Sequence, residues 1–437
     1  MLGLGGKSKA ERIAALGPPK YTATMEITPG LPVRGLAHTP PGFMPIAGEP
    51  PLWLRNGAEI ALVGSLKGRT EILGFSGAEY KTVRLIAADH GPGAPKGRIV
   101  GLAASQNGMT LAIAEGEPGR VKIVLRYVLS KGGQNTVASF DGTFHAVSLH
   151  WITNNELAVG LAAKPTPVPA PAGTARPGSP ASATTPAQGG LFYIHVAGAV
   201  KTTRVSVNCP LSPLAFNHNG RFVVGEGDAE AAPMVFDRKT GACHPLTMTG
   251  PIRVLGWAPG NAAFLYAAPA TSANGPGVFR YTLASGRSEL IAVASGAAAY
   301  LNSGQIVALG NRQLTFRGAM AKPNRIVTAQ LATFDPKEPQ VHIRPLGFPT
   351  TPRMLMASTM TYTPSFAQVA MQMYAAVRQG PQREIVSYSL LDGKAFVLAH
   401  GQLRGTAEIR WSPKANRLAI FDGVNGNGML AVVAPYR

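Results

Sequence analysis

Three carboxylates crowd into GEGDAEAAP, residues 225 to 233, where Glu226, Asp228 and Glu230 take alternate positions. Oxygen ligands so close together suit a calcium ion, but the fixed glycine and terminal glutamate of a calcium loop are missing, so a solvated acidic loop is the better reading. Nine histidines are dispersed: His38, His90, His145, His150, His195, His218, His244, His342 and His400. Only His145 and His150 are near each other. Five residues apart, they face opposite sides of a continuous strand, which argues against a shared metal. No Gly-x-Ser-x-Gly elbow is present to mount a hydrolase serine. GLGGK near the start lacks the spacing of a phosphate loop and follows no strand, so it reads as flexible tail. The sequence thus assigns no catalytic residue, no metal ligand and no cofactor site.

The charge balance is more informative. Lys and Arg total 41 against 22 Asp and Glu, a formal net charge of +19. Such an excess favours acidic partners, and a macromolecule with an acidic surface, a protein, is the expectation. No basic run interleaved with aromatics marks a groove for single strands, so nucleic acid has no motif behind it. Hydrophobic residues make up 45% and charged ones 14%, enough apolar material for a large core. Two cysteines exclude a disulfide framework, and no Cys/His cluster points to structural zinc. The start has no apolar h-region and no stretch of 18 apolar residues occurs, so the expectation is a cytoplasmic protein without a membrane span. The alternative is a bacterial periplasm or envelope, should a leader be missing.

The elements that would position any site come from internal repetition. With 51 glycines and 37 prolines the chain turns often. An apolar strand, a turn and a second apolar strand recur as LWLRNGAEIALVGS, GLAASQNGMTLAIAE, LHWITNNELAVGLA, LAFNHNGRFVVGEG, VLGWAPGNAAFLYAA, YLNSGQIVALG, MTYTPSFAQVAMQMYA and IRWSPKANRLAIFDG. The turns at Asn56-Gly57, Asn107-Gly108, Asn154-Asn155 and Asn219-Gly220 fit hairpins, because Asn and Gly tolerate positive φ. A second strand pair follows each phrase except the last. Counted from Ile72, Ile123, Leu191, Met234, Val278, Ile326, Ile385 and Met429, the spacings are 51, 68, 43, 44, 48, 59 and 44. Four antiparallel strands every 40 to 50 residues is the signature of a β-propeller blade. The expectation is all-β, one propeller of eight blades over 21–437, or seven if the segment near 294–346 is irregular.

The long spacing has a visible cause. Residues 163–190, AKPTPVPAPAGTARPGSPASATTPAQGG, hold almost no large apolar side chain, and read as a loop between the second and third strands of one blade. The last blade lacks a fourth strand, while YTATMEI (21–27) stands alone with β-favouring alternation and is expected to complete it against GMLAVVAP, leaving 1–20 as a basic tail.

The hairpins at Trp411-Ser412-Pro413 and Trp257-Ala258-Pro259 resemble the W-S-P-D-G phrase of TolB-like propeller repeats, a class related to WD40 propellers. The family's Asp-Gly is replaced by Lys414-Ala415 and Gly260-Asn261, and in weaker copies by Gln106-Asn107 and His218-Asn219. The resemblance implies the fold and a tendency to bind macromolecules as a monomeric ring or part of a larger complex. It implies no catalytic residues. Two functions follow: a non-enzymatic binding scaffold, or a propeller hydrolase or lactonase with Asp89, His90 and His400 in loops on one face near the channel. Cys209, at the expected start of an inner strand, and Cys243, in a turn at the other end of the blade, lie too far apart for a bond and are expected as free thiols. Limited proteolysis is expected to cut first between Lys164 and Gln188, after Arg176, and deleting 166–187 to leave the melting temperature almost unchanged. Mass mapping of the first fragments and a thermal melt of the deletion variant check both.

Overall fold

A computed structural model describes residues 25–434 apart from 47–50, 89–97, 129–133, 164–188, 208–213, 228–231, 247–249, 269–276, 294, 301–305, 311–329, 336–337, 346–352, 364–367, 378–379, 390–394, 403–405, 413–416 and 425–426. The described residues form eight antiparallel sheets, each built mainly from strands consecutive in the chain. Numbered along the chain as blades 1 to 8, they make a β-propeller. The tail 1–20 and most of the 163–190 stretch lie outside the described residues; the strands flanking that stretch, Glu156–Ala163 and Gly190–His195, pair with each other in blade 3.

Blade 1 shows why these sequences become sheets. In its second strand, Glu59–Leu66, the side chains of Ile60, Leu62 and Leu66 pack into a core shared with blade 8, whereas Ala61 and Val63 pack into one shared with blade 2. Successive strand residues point to opposite faces, so a strand with a neighbour on each side is apolar at nearly every position. The third strand, Arg69–Ser76, does the same with Leu73 and Phe75 on one side and Ile72 on the other. Further round, Leu157, Val159 and Leu161 of blade 3 pack with Ile123 and Leu125 of blade 2. In four blades the outer strand carries one extra residue opposite the third: Ile86, Val137, Ile291 and Leu398. Each is apolar and each is followed by alanine. The bulges deliver these outer-strand side chains into the layers between blades.

Polar ties run from blade to blade. The buried Glu59 carboxylate takes two hydrogen bonds from Arg84, at 2.6 and 2.9 Å, and Arg84 also donates to the Val128 carbonyl of blade 2 at 2.8 Å. Gly74 leaves the room, since a Cβ there would stand 2.3 Å from Glu59 Oε1. Arg383 of blade 7 and Asp422 of blade 8, both fully buried, form an ion pair across their sheets. Trp151 Nε1 donates to the Ala103 carbonyl of blade 2 and Trp53 Nε1 to the Arg410 carbonyl of blade 8, each at 3.1 Å. Positive φ is found, as expected, at Asn56-Gly57 and at the glycine of Asn107-Gly108 and Asn219-Gly220, but not at Asn154-Asn155; Asn261 of the blade 5 hairpin has it too. Hairpin asparagines also act as acceptors: Asn154 Oδ1 receives the Asn107 N–H of the blade before it at 3.1 Å, and Asn261 Oδ1 receives that of His218 at 3.2 Å.

Two expectations are corrected. Met25–Ile27, the described end of YTATMEI, pairs with the outer strand of blade 7, Ala395–Gln402, as a fifth strand. The strand that pairs with Asn427–Val433 and joins the two ends of the chain is Val33–His38. VRGLAH carries a weaker apolar pattern than YTATMEI, but its selection is tertiary: Gly35 sits where a Cβ would be 2.6 Å from Tyr80 Cδ2 and 2.7 Å from the Glu79 carbonyl of blade 1. The second correction concerns the thiols. Cys243 is disulfide-bonded, and the chain has one other cysteine, Cys209, outside the described residues. Cys243 lies in the outer strand Ala242–Pro245 rather than in a turn, and the inner strand of that blade starts at Leu214, five residues after Cys209. A connecting segment can span about 3.3–3.6 Å per residue, so the length of one short strand is no barrier to the bond.

The closing strand sets a test. Deleting 1–32 removes only the fifth strand of blade 7 and is expected to leave a monomeric fold with a lowered melting temperature. Deleting 1–38 removes the outer strand of blade 8, exposes a sheet edge and is expected to give aggregated or expanded protein in size-exclusion chromatography. Identical behaviour of the two would reject this assignment.

Candidate functional site: the channel mouth

An up-and-down sheet sends its second-to-third connections and its links to the next blade to one face, and its other turns to the opposite face. On the opposite face described turns of blades 1 to 4 are tied together: the Arg55 N–H donates to the Gly108 carbonyl at 3.0 Å, Gln106 to that of Ile152 at 2.8 Å, and Tyr193 to that of Gly220 at 2.6 Å. The first face takes the second-to-third connections, among them those that join Ala163 to Gly190, Ala268 to Gly277 and Gly310 to Gln330. Variable loops on a braced scaffold are where binding is usually borne.

The inner strands begin on that face and line the mouth of the channel. Arg98 opens the inner strand of blade 2, Phe144 and His145 that of blade 3, and Arg253 that of blade 5; all but the half-buried Phe144 are exposed. Apolar side chains stand among them: Met44 of blade 1 is 53% exposed, Ile46 38% and Val100 of blade 2 45%. The inner strands are irregular here in a repeated way. One extra residue shifts the register with the second strand at Val100, His145, Leu255 and Gly296. In blade 1 the inner strand is split into Met44–Pro45 and Leu52–Leu54, and in blade 7 residues 356–359 stand opposite a single residue. A bulge bends a strand and re-aims a side chain. The blade 2 and 3 strands lie close together, a Cβ on Gly101 falling 3.4 Å from the Val147 carbonyl.

The residues singled out in the sequence do not gather at this mouth. Of the acidic trio only Glu226 is described. Its carboxylate accepts the Val254 N–H at 2.6 Å while its carbonyl accepts that of Ile252 at 2.7 Å, tying blade 4 to the inner strand of blade 5. Burial holds its pKa above the ordinary value, against the Val254 hydrogen bond and the nearby Arg253 charge. His145 and His150 occupy the two ends of one inner strand. His150 is stacked on Phe216 with ring centroids 5.6 Å apart, and burial foremost, with His218 adding to it, lowers its pKa to about 4. His38 is in the outer strand of blade 8, its pKa lowered by burial. His195 ends a third strand, His218 is in a turn, and His244 and His342 are on outer strands. His400 lies within an outer strand at the rim, 3.6 Å from Glu26, and not in a loop beside the channel. Asp89 and His90 are outside the described residues. Among the described residues no three His, Cys, Asp or Glu side chains come together to hold a metal ion. Val100, Met44 and Ile46 were missed because isolated apolar residues in strands read as core; the signal that sets Val100 apart is the register shift, which a sequence does not display.

No protein-family model and no curated protein matches the chain. Solved structures do. A prolyl endopeptidase structure is similar over 86% of this chain at 14% identity and TM-score 0.46, and the chain spans only 54% of that protein's length. The Dos1 propeller is similar over 93% of both chains at 11% identity and TM-score 0.47. TolB from Acinetobacter baumannii is similar over 80% of this chain and 65% of its own, at 12% identity and TM-score 0.36. The likeness is one of fold alone, and the propeller architecture rests on the sheets of this chain.

Glu226 gives a measurable pH effect. A raised carboxyl pKa means that the folded chain favours the neutral form, so this group's contribution to stability falls as pH rises through its ordinary value and the raised one. Glu226→Gln keeps an acceptor for Val254 without a buried charge. Its melting temperature is expected to equal or exceed the parent's at pH 7 and to lose that advantage at pH 4, whereas Glu226→Ala melts lower at both; scanning calorimetry at the two pH values checks this.

Proposed function

We propose that the protein is a non-enzymatic β-propeller scaffold that holds a protein partner through an acidic surface, and that it does so with the loop-bearing face around the channel mouth. The observation that carries this reading is the chemistry of the inner strands at that face: they carry exposed apolar side chains at Met44, the adjoining Ile46 and Val100 and exposed cations at Arg98 and Arg253. Apolar contact supplies affinity, and a cationic surround steers and orients an acidic surface. The chain's net charge of +19 adds long-range attraction of the same sign. The disulfide at Cys243 supports an oxidising compartment, the bacterial periplasm or envelope, because such bonds are rare where thiols are kept reduced.

The test is affinity capture with the immobilised full-length protein from an extract of its native cells, followed by binding of the purified captured protein across a salt series. A one-to-one complex whose affinity falls steeply between about 0.1 and 1 M salt is expected, since screening shortens from about 10 to about 3 Å over that range. Hydrolysis of a lactone or ester panel by the purified protein, abolished by substitutions at the mouth, would overturn the proposal in favour of the hydrolase reading.

A further inference from the structure

We infer that the contact surface is one sector of the mouth, across blades 1 to 3, and that it takes an extended acidic peptide segment bearing apolar side chains. The inference rests on the scaffold reading above and goes further in naming residues and the form of the ligand. Val100 is the centre. It is the unpaired residue between Ile99, which faces Glu115, and Gly101, which faces Ala114. A large apolar side chain on a buried channel wall would be packed, yet this one is 45% exposed. The second strand makes room for it: a Cβ on Gly116 would lie 3.0 Å from Val100 Cγ1. The next inner strand carries its own extra residue, His145, near the same end. Two neighbouring inner strands thus each carry an extra residue near the mouth, Val100 two positions from exposed Arg98, and blade 1 adds exposed Met44 of its own inner strand and Ile46 just after it. The bulge at Val100 leaves that residue outside the sheet ladder, so its backbone can meet that of an extended segment.

Charge complementarity decides the chemistry of the occupant. The first residues of the inner strands of blades 2 and 3 carry no carboxylate; the nearest in register is Glu115, on the second strand of blade 2 opposite Ile99. A carboxylate on the ligand is drawn to Arg98 while an apolar neighbour covers Val100. A nucleic acid would want exposed aromatic faces for stacking, and the one aromatic at these strand starts, Phe144, is only half-exposed.

The experiment uses the full-length protein and short fluorescein-labelled peptides, one mixing glutamate with leucine and one mixing lysine with leucine, read by fluorescence anisotropy. The glutamate peptide is expected to bind and the lysine peptide not. Arg98→Glu and Val100→Asp are each expected to weaken binding by about tenfold or more, the effect of a contact at the centre of an interface. Val200→Asp, on the opposite face at 48% exposure, is the control and should leave binding unchanged; unaltered melting temperatures show that all three variants fold. Equal weakening by Val200→Asp, no binding of the glutamate peptide, or tighter binding of a single-stranded oligonucleotide would overturn the inference. Should the captured native partner bind Val100→Asp and Arg98→Glu as tightly as the parent, this sector falls while the scaffold reading stands.

Discussion

A ring of sheets depends on the one pairing that joins its two ends, here Val33–His38 against Asn427–Val433. The other sheets have their four main strands consecutive in the chain and form from local contacts, blade 7 adding Met25–Ile27 as a fifth. This pair must find each other across almost the whole sequence, and the closure entropy of so long a loop has to be met by what the contact buries. What it buries is the layer between blades 8 and 1: Ala37 from the closing strand with Phe421, Leu430 and Val432 on one side and Phe43, Ile60 and Leu62 on the other, all buried. Until it forms, two apolar sheet faces and an unpaired edge are open to water and to other chains. The adjacent Met25–Ile27, paired to blade 7, makes the N-terminal segment a clamp across two blades.

Polar contacts between blades then decide how exactly neighbours register. Apolar layers are tolerant of small shifts, whereas Trp151 reaching the Ala103 carbonyl and Asn154 reaching the Asn107 amide are not. These ties concentrate on the face of tight turns. A buried pair such as Arg383 with Asp422 adds selectivity more than net stability, because removing two charges from water offsets most of their attraction. With one face braced in this way, the other is free to vary in length and composition without loss of the ring.

That division of labour is the basis of the proposal that binding falls at the channel mouth. Among the described residues the inner strands have a paired strand on one edge, and there the sheet regularity relaxes, with register shifts at Val100, His145, Leu255 and Gly296. Outer-strand bulges do the opposite, feeding Ile86, Ile291 and Leu398 into buried layers. The same local device thus serves packing at the rim and exposure at the hub.

The sequence by itself determined the fold class, because two-sided burial writes continuous apolar strands such as Ile60 to Val63 and the turns between them recur at blade-length intervals. It also determined that no catalytic motif stands in the linear order. Tertiary structure decided the rest. It chose VRGLAH over YTATMEI as the closing strand, since fit against Tyr80 is a matter of space and not of pattern. It turned Glu226 inward onto the Val254 amide, where a run of acidic letters suggested a solvated loop. It put Cys243 in a disulfide and His400 on the rim, because strand boundaries shifted by a few residues move a side chain from a turn to an edge. And it exposed Val100, whose role depends on a register slip between two strands, a relation between distant letters that no single stretch of sequence contains.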